Sequence, residues 1–282
     1  MKILRRIVLV LVLVVVVGYL AALGVLYLKQ RDFQYDNVGP MTALASLQLP
    51  NAQAVAIPTA DNATVNGWFD PPTAGKPVIL FYKGNSGSFT EEHERYEAWV
   101  KDGYGFLAFD YRGFPASPGS ITQQHILDDA LAAYDWLKAK NFPIVVWGRS
   151  LGSGPASFVS SQRAPDGLLL ETPFLSAVDV AFDRYPYMPV QLLMFDQFPV
   201  KDWILKVKAP VLVAHGTNDH TIDVHHGRAV YDLVPNKYGL WIEPGADHGD
   251  LWKRGIWARA KDFFTDVENG IGKPADAAAP KN

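Results

Sequence analysis

Ile144-Val145-Val146-Trp147-Gly148-Arg149-Ser150-Leu151-Gly152 reads as an apolar strand that runs into a Gly-x-Ser-x-Gly turn and opens a helix of small residues. An unbroken apolar run of this kind suits a parallel strand covered on both faces. The five-residue string alone says little, because glycine and serine are common. Its place between strand and helix gives it meaning, since a serine at that sharp turn stands with its hydroxyl exposed above the sheet. Gly148 and Gly152 carry no Cβ, so the chain can turn tightly and neighbouring elements can approach. A serine hydroxyl does not ionise readily enough to attack unaided, so a base and a group that orients it must lie elsewhere.

Both are found downstream. Pro210 to Ala214 reads as a strand and His215-Gly216-Thr217-Asn218-Asp219 as its exit turn, which brings Asp219 to the carboxyl edge of the sheet. The next strand ends at Ile242, and the loop from Glu243 to Gly249 brings His248 to the same edge. Ser150, Asp219 and His248 thus follow one another as nucleophile, orienting acid and general base. Plainer readings exist: Ser150 as a helix N-cap, Asp219 as a turn former, His248 as a loop histidine. Asp223, Asp247 and Asp250 are rival acids, though none follows a strand end as directly. An oxyanion needs two backbone donors. Leu151 supplies one, and Asn85 in the loop Lys83-Gly84-Asn85-Ser86-Gly87 is expected to supply the other. Gly84 is the loop residue expected to need a conformation or close approach that a side chain forbids. That loop lacks the Gly-x-x-x-x-Gly-Lys-Ser/Thr spacing of a phosphate cradle. His215, His220, His225 and His226 show no ligand spacing either, so neither metal nor cofactor is expected.

Outward from this centre, short apolar runs alternate with helical stretches. Strands are expected at Ala54–Ile57, Gly67–Phe69, Pro77–Tyr82, Gly105–Phe109, Ile144–Trp147, Leu168–Leu170, Pro210–Ala214 and Leu240–Ile242. Helices are expected at Glu91–Lys101, Thr122–Lys140, Leu151–Gln162, Val224–Leu233 and Leu251–Val267. Gly103 falls where the first of these should end in a left-handed cap. The alternation specifies an α/β class: an eight-stranded, mostly parallel sheet with helices on both faces. The 282 residues, 49% apolar and 20% charged, exclude a disordered or low-complexity chain. Lys and Arg number 26 against 29 Asp and Glu, a net charge of −3 that argues against nucleic acid as a partner. Cysteine is absent, which excludes disulfides, thiolate metal sites and a cysteine nucleophile.

Ile7 to Leu28 is a run of 22 residues without a charge, preceded by Lys2, Arg5 and Arg6 and followed by Lys29 and Arg31. As a helix it would measure about 33 Å, close to the hydrocarbon thickness of a bilayer. A cleaved signal peptide is the alternative, but its apolar core is usually only ~7–15 residues. The expectation is an uncleaved, single-pass signal anchor with its N-terminus in the cytoplasm and the remaining chain on the non-cytoplasmic side. The organisation expected is therefore an anchor over 1–31, an α/β domain over 32–268, and a disordered tail over 269–282 rich in Ala, Pro and Gly.

Further strings support one family. Asn66-Gly67-Trp68-Phe69, Lys83-Gly84-Asn85-Ser86-Gly87, Asp110-Tyr111-Arg112-Gly113-Phe114, Gly148 to Gly152, Glu171-Thr172-Pro173-Phe174, His215 to Asp219 and Gly245-Ala246-Asp247-His248 occur in order. As a set they resemble the α/β-hydrolase superfamily, and more narrowly its membrane-anchored Bem46/ABHD13-like serine hydrolases, over about residues 30 to 267. The resemblance implies a triad of Ser150, Asp219 and His248, oxyanion donors at Asn85 and Leu151, and a small cap from Leu175 to Val207. Lys83 departs from the family's usual histidine. The activity implied is hydrolysis of an ester or thioester through an acyl-serine intermediate, on a small acyl or lipid-like substrate. A serine peptidase or amidase would use the same residues, and a catalytically idle, membrane-tethered binding protein would keep the fold without the reaction.

Overall fold

Eight strands form one sheet in the computed structural model, which describes residues 1–271. They are β1 (Gln53–Pro58), β2 (Thr64–Asp70), β3 (Val78–Tyr82), β4 (Gly105–Phe109), β5 (Ile144–Arg149), β6 (Gly167–Glu171), β7 (Val211–Gly216) and β8 (Lys237–Glu243). Their spatial order is β1-β2-β4-β3-β5-β6-β7-β8. β2 pairs antiparallel with both β1 and β4, and every other pairing is parallel, so the sheet is mixed at one edge. The central strands show why their apolar runs are unbroken. Val78, Leu80 and Tyr82 face one core while Ile79 and Phe81 face the other. Val146 and then Val145 with Trp147 divide in the same way on β5. Side chains alternate across a strand, so a strand buried on both faces must be apolar at every position.

The helices are α1 (Lys2–Gln34), α2 (His93–Lys101), α3 (Gln123–Lys138), α4 (Ser153–Gln162), α5 (Ala177–Arg184), α6 (Val190–Leu193), α7 (Val200–Trp203), α8 (Val224–Leu233) and α9 (Ile256–Glu268). α3, α4 and α8 cover one face of the sheet, while α2 and α9 cover the other. Gly103, just past α2, has φ +87, the left-handed stop expected of it. The last helix begins at Ile256 rather than Leu251, because residues 247–255 are spent on turns: Asp250 N–H donates to the Asp247 carbonyl, and Gly255 enters the helix at φ +96. The cap segment, 175–207, holds the short helices α5, α6 and α7. Residues 272–282, most of the expected tail, lie outside the described residues.

α1 is long and apolar enough to cross a membrane, with a mean hydropathy of 3.0 over its most apolar stretch. It continues three residues beyond the boundary expected at 31. Up to Ala21 every residue is exposed, whereas Ala22, Leu23, Leu26, Gln30, Arg31 and Gln34 are half-buried against the body. Asp196, itself 3% exposed, fastens this end. Its carboxylate accepts from Arg31 Nε at 2.8 Å, Tyr35 Oη at 3.1 Å and the Gln123 N–H at 2.9 Å, joining helix, cap and α3. A ~20-residue apolar helix inserts effectively irreversibly, so the chain should stay in the membrane pellet through carbonate washing. Release of a soluble product beginning near Val25 would identify a cleaved signal instead.

Candidate active site

β5 delivers Ser150 into a backbone conformation that few side chains tolerate, with φ +52. A short 3-10 turn, Ser150–Gly152, precedes α4, so the expected helix from Leu151 starts two residues later. The two glycines permit this geometry. A Cβ on Gly152 would run into the Tyr82 carbonyl oxygen, and one on Gly148 would meet Ala156 and the Gly152 carbonyl. Gly84 is different from expectation: a Cβ there finds nothing closer than Ser150 Cβ at 3.7 Å, and its φ is not positive. In that loop the constrained glycine is Gly87, at φ +55 and pressed against Glu91.

The turns after β7 and β8 bring Asp219 and His248 to Ser150. His248 Nε2 lies 2.8 Å from Ser150 Oγ, and its Nδ1 lies 2.7 Å from Asp219 Oδ2. An ionised carboxylate only accepts, so the His248 proton belongs on Nδ1 and Nε2 is left to accept from the serine hydroxyl. Asp219 receives three further bonds: the N–H groups of Thr221 and Ile222 donate to Oδ1 at 2.9 and 2.8 Å, and His215 Nε2 lies 3.1 Å from Oδ2. Burial alone would raise this carboxyl. The bonds from His215, His248 and the Ile222 N–H outweigh it and hold Asp219 well below the usual carboxylate range. The rival acids are occupied in turns. Asp223 caps α8 through the His225 N–H, Asp247 accepts from the His220 and His248 N–H groups, and Asp250 accepts from the Asp247 N–H.

Sequence reasoning missed His215 as a partner of Asp219. It is fully buried, and its Nε2 faces two acceptors, Asp219 and the Ile222 carbonyl at 2.9 Å, which places its proton there. Its position four residues before Asp219, at the end of an apolar strand, was the available signal. Also missed was an ion network that holds Arg149. Arg95 binds Glu171 through two bonds of 2.9 Å, and Glu92 receives Arg95 Nε at 2.7 Å and Arg149 Nη1 at 2.6 Å. Arg149, the residue before Ser150, is thereby fixed from its far end.

Asn85 and Leu151 line one cavity of about 460 Å³ together with Ser150. The Leu151 N–H stands in the first turn of its 3-10 segment, where no preceding carbonyl of that segment is available to it. Asn85 is held by the chain that leaves α1: its side-chain amide donates to the Gln34 carbonyl at 2.9 Å and its carbonyl accepts from Asp36 N–H at 3.0 Å. Gly87 N–H closes the clasp on the Asp36 carbonyl at 2.8 Å. Lys83 braces the same loop from inside, donating to the Gly84 and Ser86 carbonyls at 3.2 and 3.0 Å beneath the Phe114 ring.

Among the described residues, Asp183, His225 and His226 place ligand-type atoms within 4.8 Å of one another. His226 Nδ1 accepts from the Leu175 N–H, so its proton sits on Nε2 and points at Asp183, 3.1 Å away. Both ring nitrogens are committed to protein partners, an arrangement of hydrogen bonding rather than of metal ligation.

Two outcomes follow from this packing. Gly152→Ala should lower stability by about 1–3 kcal/mol through overpacking, while Gly84→Ala should stay within about 0.5 kcal/mol, as read by thermal melts. Burial pushes the Lys83 ammonium down to about 8, with Asp110 only partly opposing it. The folded value lies below the ordinary 10.5, so the unfolded chain holds this proton more tightly. Lys83 therefore weighs against folding at neutral pH, and the penalty fades as pH rises from about 8 toward 10.5. Relative to Lys83→Met, the wild-type chain should gain up to roughly 3 kcal/mol in denaturant melts across that interval.

No family model matches the chain. An uncharacterized protein of Mycobacterium tuberculosis is 31% identical over 247 residues, covering 84% of this chain and 88% of that protein. Lysophosphatidylserine lipase ABHD12 of Rattus norvegicus is 29% identical over 195 residues, covering 59% of this chain and 48% of that protein, so the match spans about half that relative's length. Among solved structures, the Pyrococcus furiosus esterase Pf2001 matches with a TM-score of 0.67 and 22% identity over 83% of this chain and 96% of that one, a likeness of fold. With its eight-stranded sheet, its strained serine turn and these relatives, the chain belongs to the α/β-hydrolase superfamily.

Proposed function

We propose that the protein is a membrane-anchored serine hydrolase that cleaves carboxylic esters of lipid-like acyl substrates. The observation that carries this reading is the continuous hydrogen-bonded line from Ser150 Oγ through His248 to Asp219, at 2.8 and 2.7 Å. Ser150 Oγ attacks the ester carbonyl carbon while His248 Nε2 takes its proton. The Leu151 and Asn85 N–H groups stabilise the negative oxygen that forms. His248 then returns the proton to the departing alcohol as the carbon–oxygen bond breaks, leaving acyl-Ser150. Water, deprotonated by the same histidine, releases the acid and restores the serine. Asp219 stays ionised and fixes the imidazole tautomer.

The cavity supports the substrate class. Its walls include Leu151, Phe174, Val180, Met188, Leu193 and Met194, which suit an acyl chain, and its volume of about 460 Å³ is in the range of small-molecule sites. The name of the rat relative, a lipase for a lysophospholipid, supports the same class. The division into an anchor and a hydrolase body, and the placement of the body on the non-cytoplasmic side, belong to this reading; Lys2, Arg5 and Arg6 before the span support that orientation.

A fluorophosphonate probe should label the wild-type chain and leave Ser150→Ala unlabelled. Hydrolysis of p-nitrophenyl esters should fall on the order of 10⁶-fold in kcat for Ser150→Ala and about 10⁴-fold for Asp219→Asn. More than a tenth of wild-type turnover in folded Ser150→Ala would overturn the mechanism. Greater damage from Asp223→Asn or Asp247→Asn than from Asp219→Asn would overturn the choice of acid.

A further inference from the structure

The cavity that holds Ser150 is walled partly by the anchor. Leu23, Leu26, Tyr27, Gln30, Phe33 and Gln34 line it, and their spacing puts them on one face of α1. That face spans about 16 Å of helix, from within the charge-free run to the clasp that holds Asn85. A second observation fixes the level of the cap. Tyr19 Oη donates to the Tyr187 carbonyl at 2.8 Å, and Gln30 bonds the Leu193 carbonyl and the Phe195 N–H at 3.1 and 2.7 Å. Tyr19 lies nine residues before Leu28, inside the apolar run and about 14 Å from its end along the axis. Whatever stands beside that part of a membrane span stands in the leaflet. The cap is built for such surroundings: residues 185–195 carry no charged side chain, and Tyr187 and Leu192 are 87% and 85% exposed. Exposed apolar side chains of this size, continuous with a membrane helix, mark a membrane contact.

We infer that the cap segment 185–195 is inserted in the leaflet beside α1, so that an acyl chain passes sideways from the bilayer into the cavity along the α1 wall. The inference rests on reading α1 as a membrane span and Ser150 as the nucleophile. Charge returns on α1 at Lys29, Arg31 and Asp32, just past the apolar run, and Arg184 is the one charged residue among those that line the cavity. The ester therefore meets Ser150 at the level of the headgroups, while its acyl chain remains among apolar side chains.

The absence of cysteine makes a direct test clean. Single variants Tyr187→Cys, Leu192→Cys and, as a control on the exposed end of α3, Lys138→Cys would carry a fluorophore on the full chain in phosphatidylcholine vesicles. Labels at 187 and 192 should be quenched severalfold more than the control by lipids with nitroxides on their acyl chains, and severalfold less by aqueous iodide. Iodide quenching equal to that of the control would overturn insertion. Independently, Leu26→Trp should lower the ratio of kcat/KM for p-nitrophenyl decanoate over butyrate by about tenfold or more, a ratio that cancels any general loss of folded enzyme. An unchanged ratio would overturn α1 as a wall of the cavity. Inserted labels in the cysteine variants, together with a wild-type chain that hydrolyses neither ester, would support the leaflet contact and remove the acyl-serine reading.

Discussion

One backbone angle constrains the rest of this molecule. Ser150 sits at φ +52, a left-handed conformation that costs a residue with a Cβ on the order of 1–2 kcal/mol. It persists because the surroundings leave no alternative. β5 arrives from the middle of the sheet and α4 departs from it; Gly148 lets β5 and α4 touch, and Gly152 lets the turn press on the end of β3, where any side chain would collide. Arg149 is pinned through its guanidinium to Glu92, and Arg95 ties Glu92 to Glu171 on the neighbouring strand. The strain is local, and the structure that holds it reaches across three strands and α2. Strained backbone of this kind clusters at sites where geometry must be set before a ligand arrives.

Asp219 shows a related economy. Two histidines and two backbone N–H groups converge on one carboxylate, so neither oxygen can rotate away. His215 is wholly buried and does not line the cavity; in the proposed reaction it acts through Asp219, holding the carboxylate against its turn. The same logic holds for the loop from Lys83 to Gly87. Lys83 binds two of its carbonyls from inside, and the chain leaving α1 clasps Asn85 and Gly87 from outside. A buried ammonium is an expensive brace, as its lowered affinity for the proton records. The end of α1 is therefore part of the α/β body's own hydrogen bonding, through Arg31, Gln34 and the chain to Asp36.

Much of the fold was legible because its signals are local. A strand buried on both faces cannot hide its apolar run, and Val78 to Tyr82, Gly105 to Phe109 and Ile144 to Trp147 announced themselves. Helix ends were harder where a loop borrowed residues: Leu251 reads as the start of α9, yet the turns that carry His248 use the chain as far as Gly255. Gly84 misled because a glycine beside a loop donor looks obligatory. Whether a Cβ fits depends on atoms from β5, which the loop's own sequence does not contain.

The sequence by itself determined the fold class, the order Ser150, Asp219, His248 and the presence of an apolar N-terminal run, since periodicity, turn residues and motif spacing are properties of neighbouring positions. Only the tertiary structure decided which groups serve those residues. His215, the Glu92–Arg95–Glu171 network, the Lys83 brace and the seam between α1 and the cap join positions up to 168 residues apart, as Tyr19 and Tyr187 are. No spacing rule encodes such pairs. They arise because closing the sheet and burying its two faces leaves particular polar groups facing one another in a low dielectric, where each must find a partner.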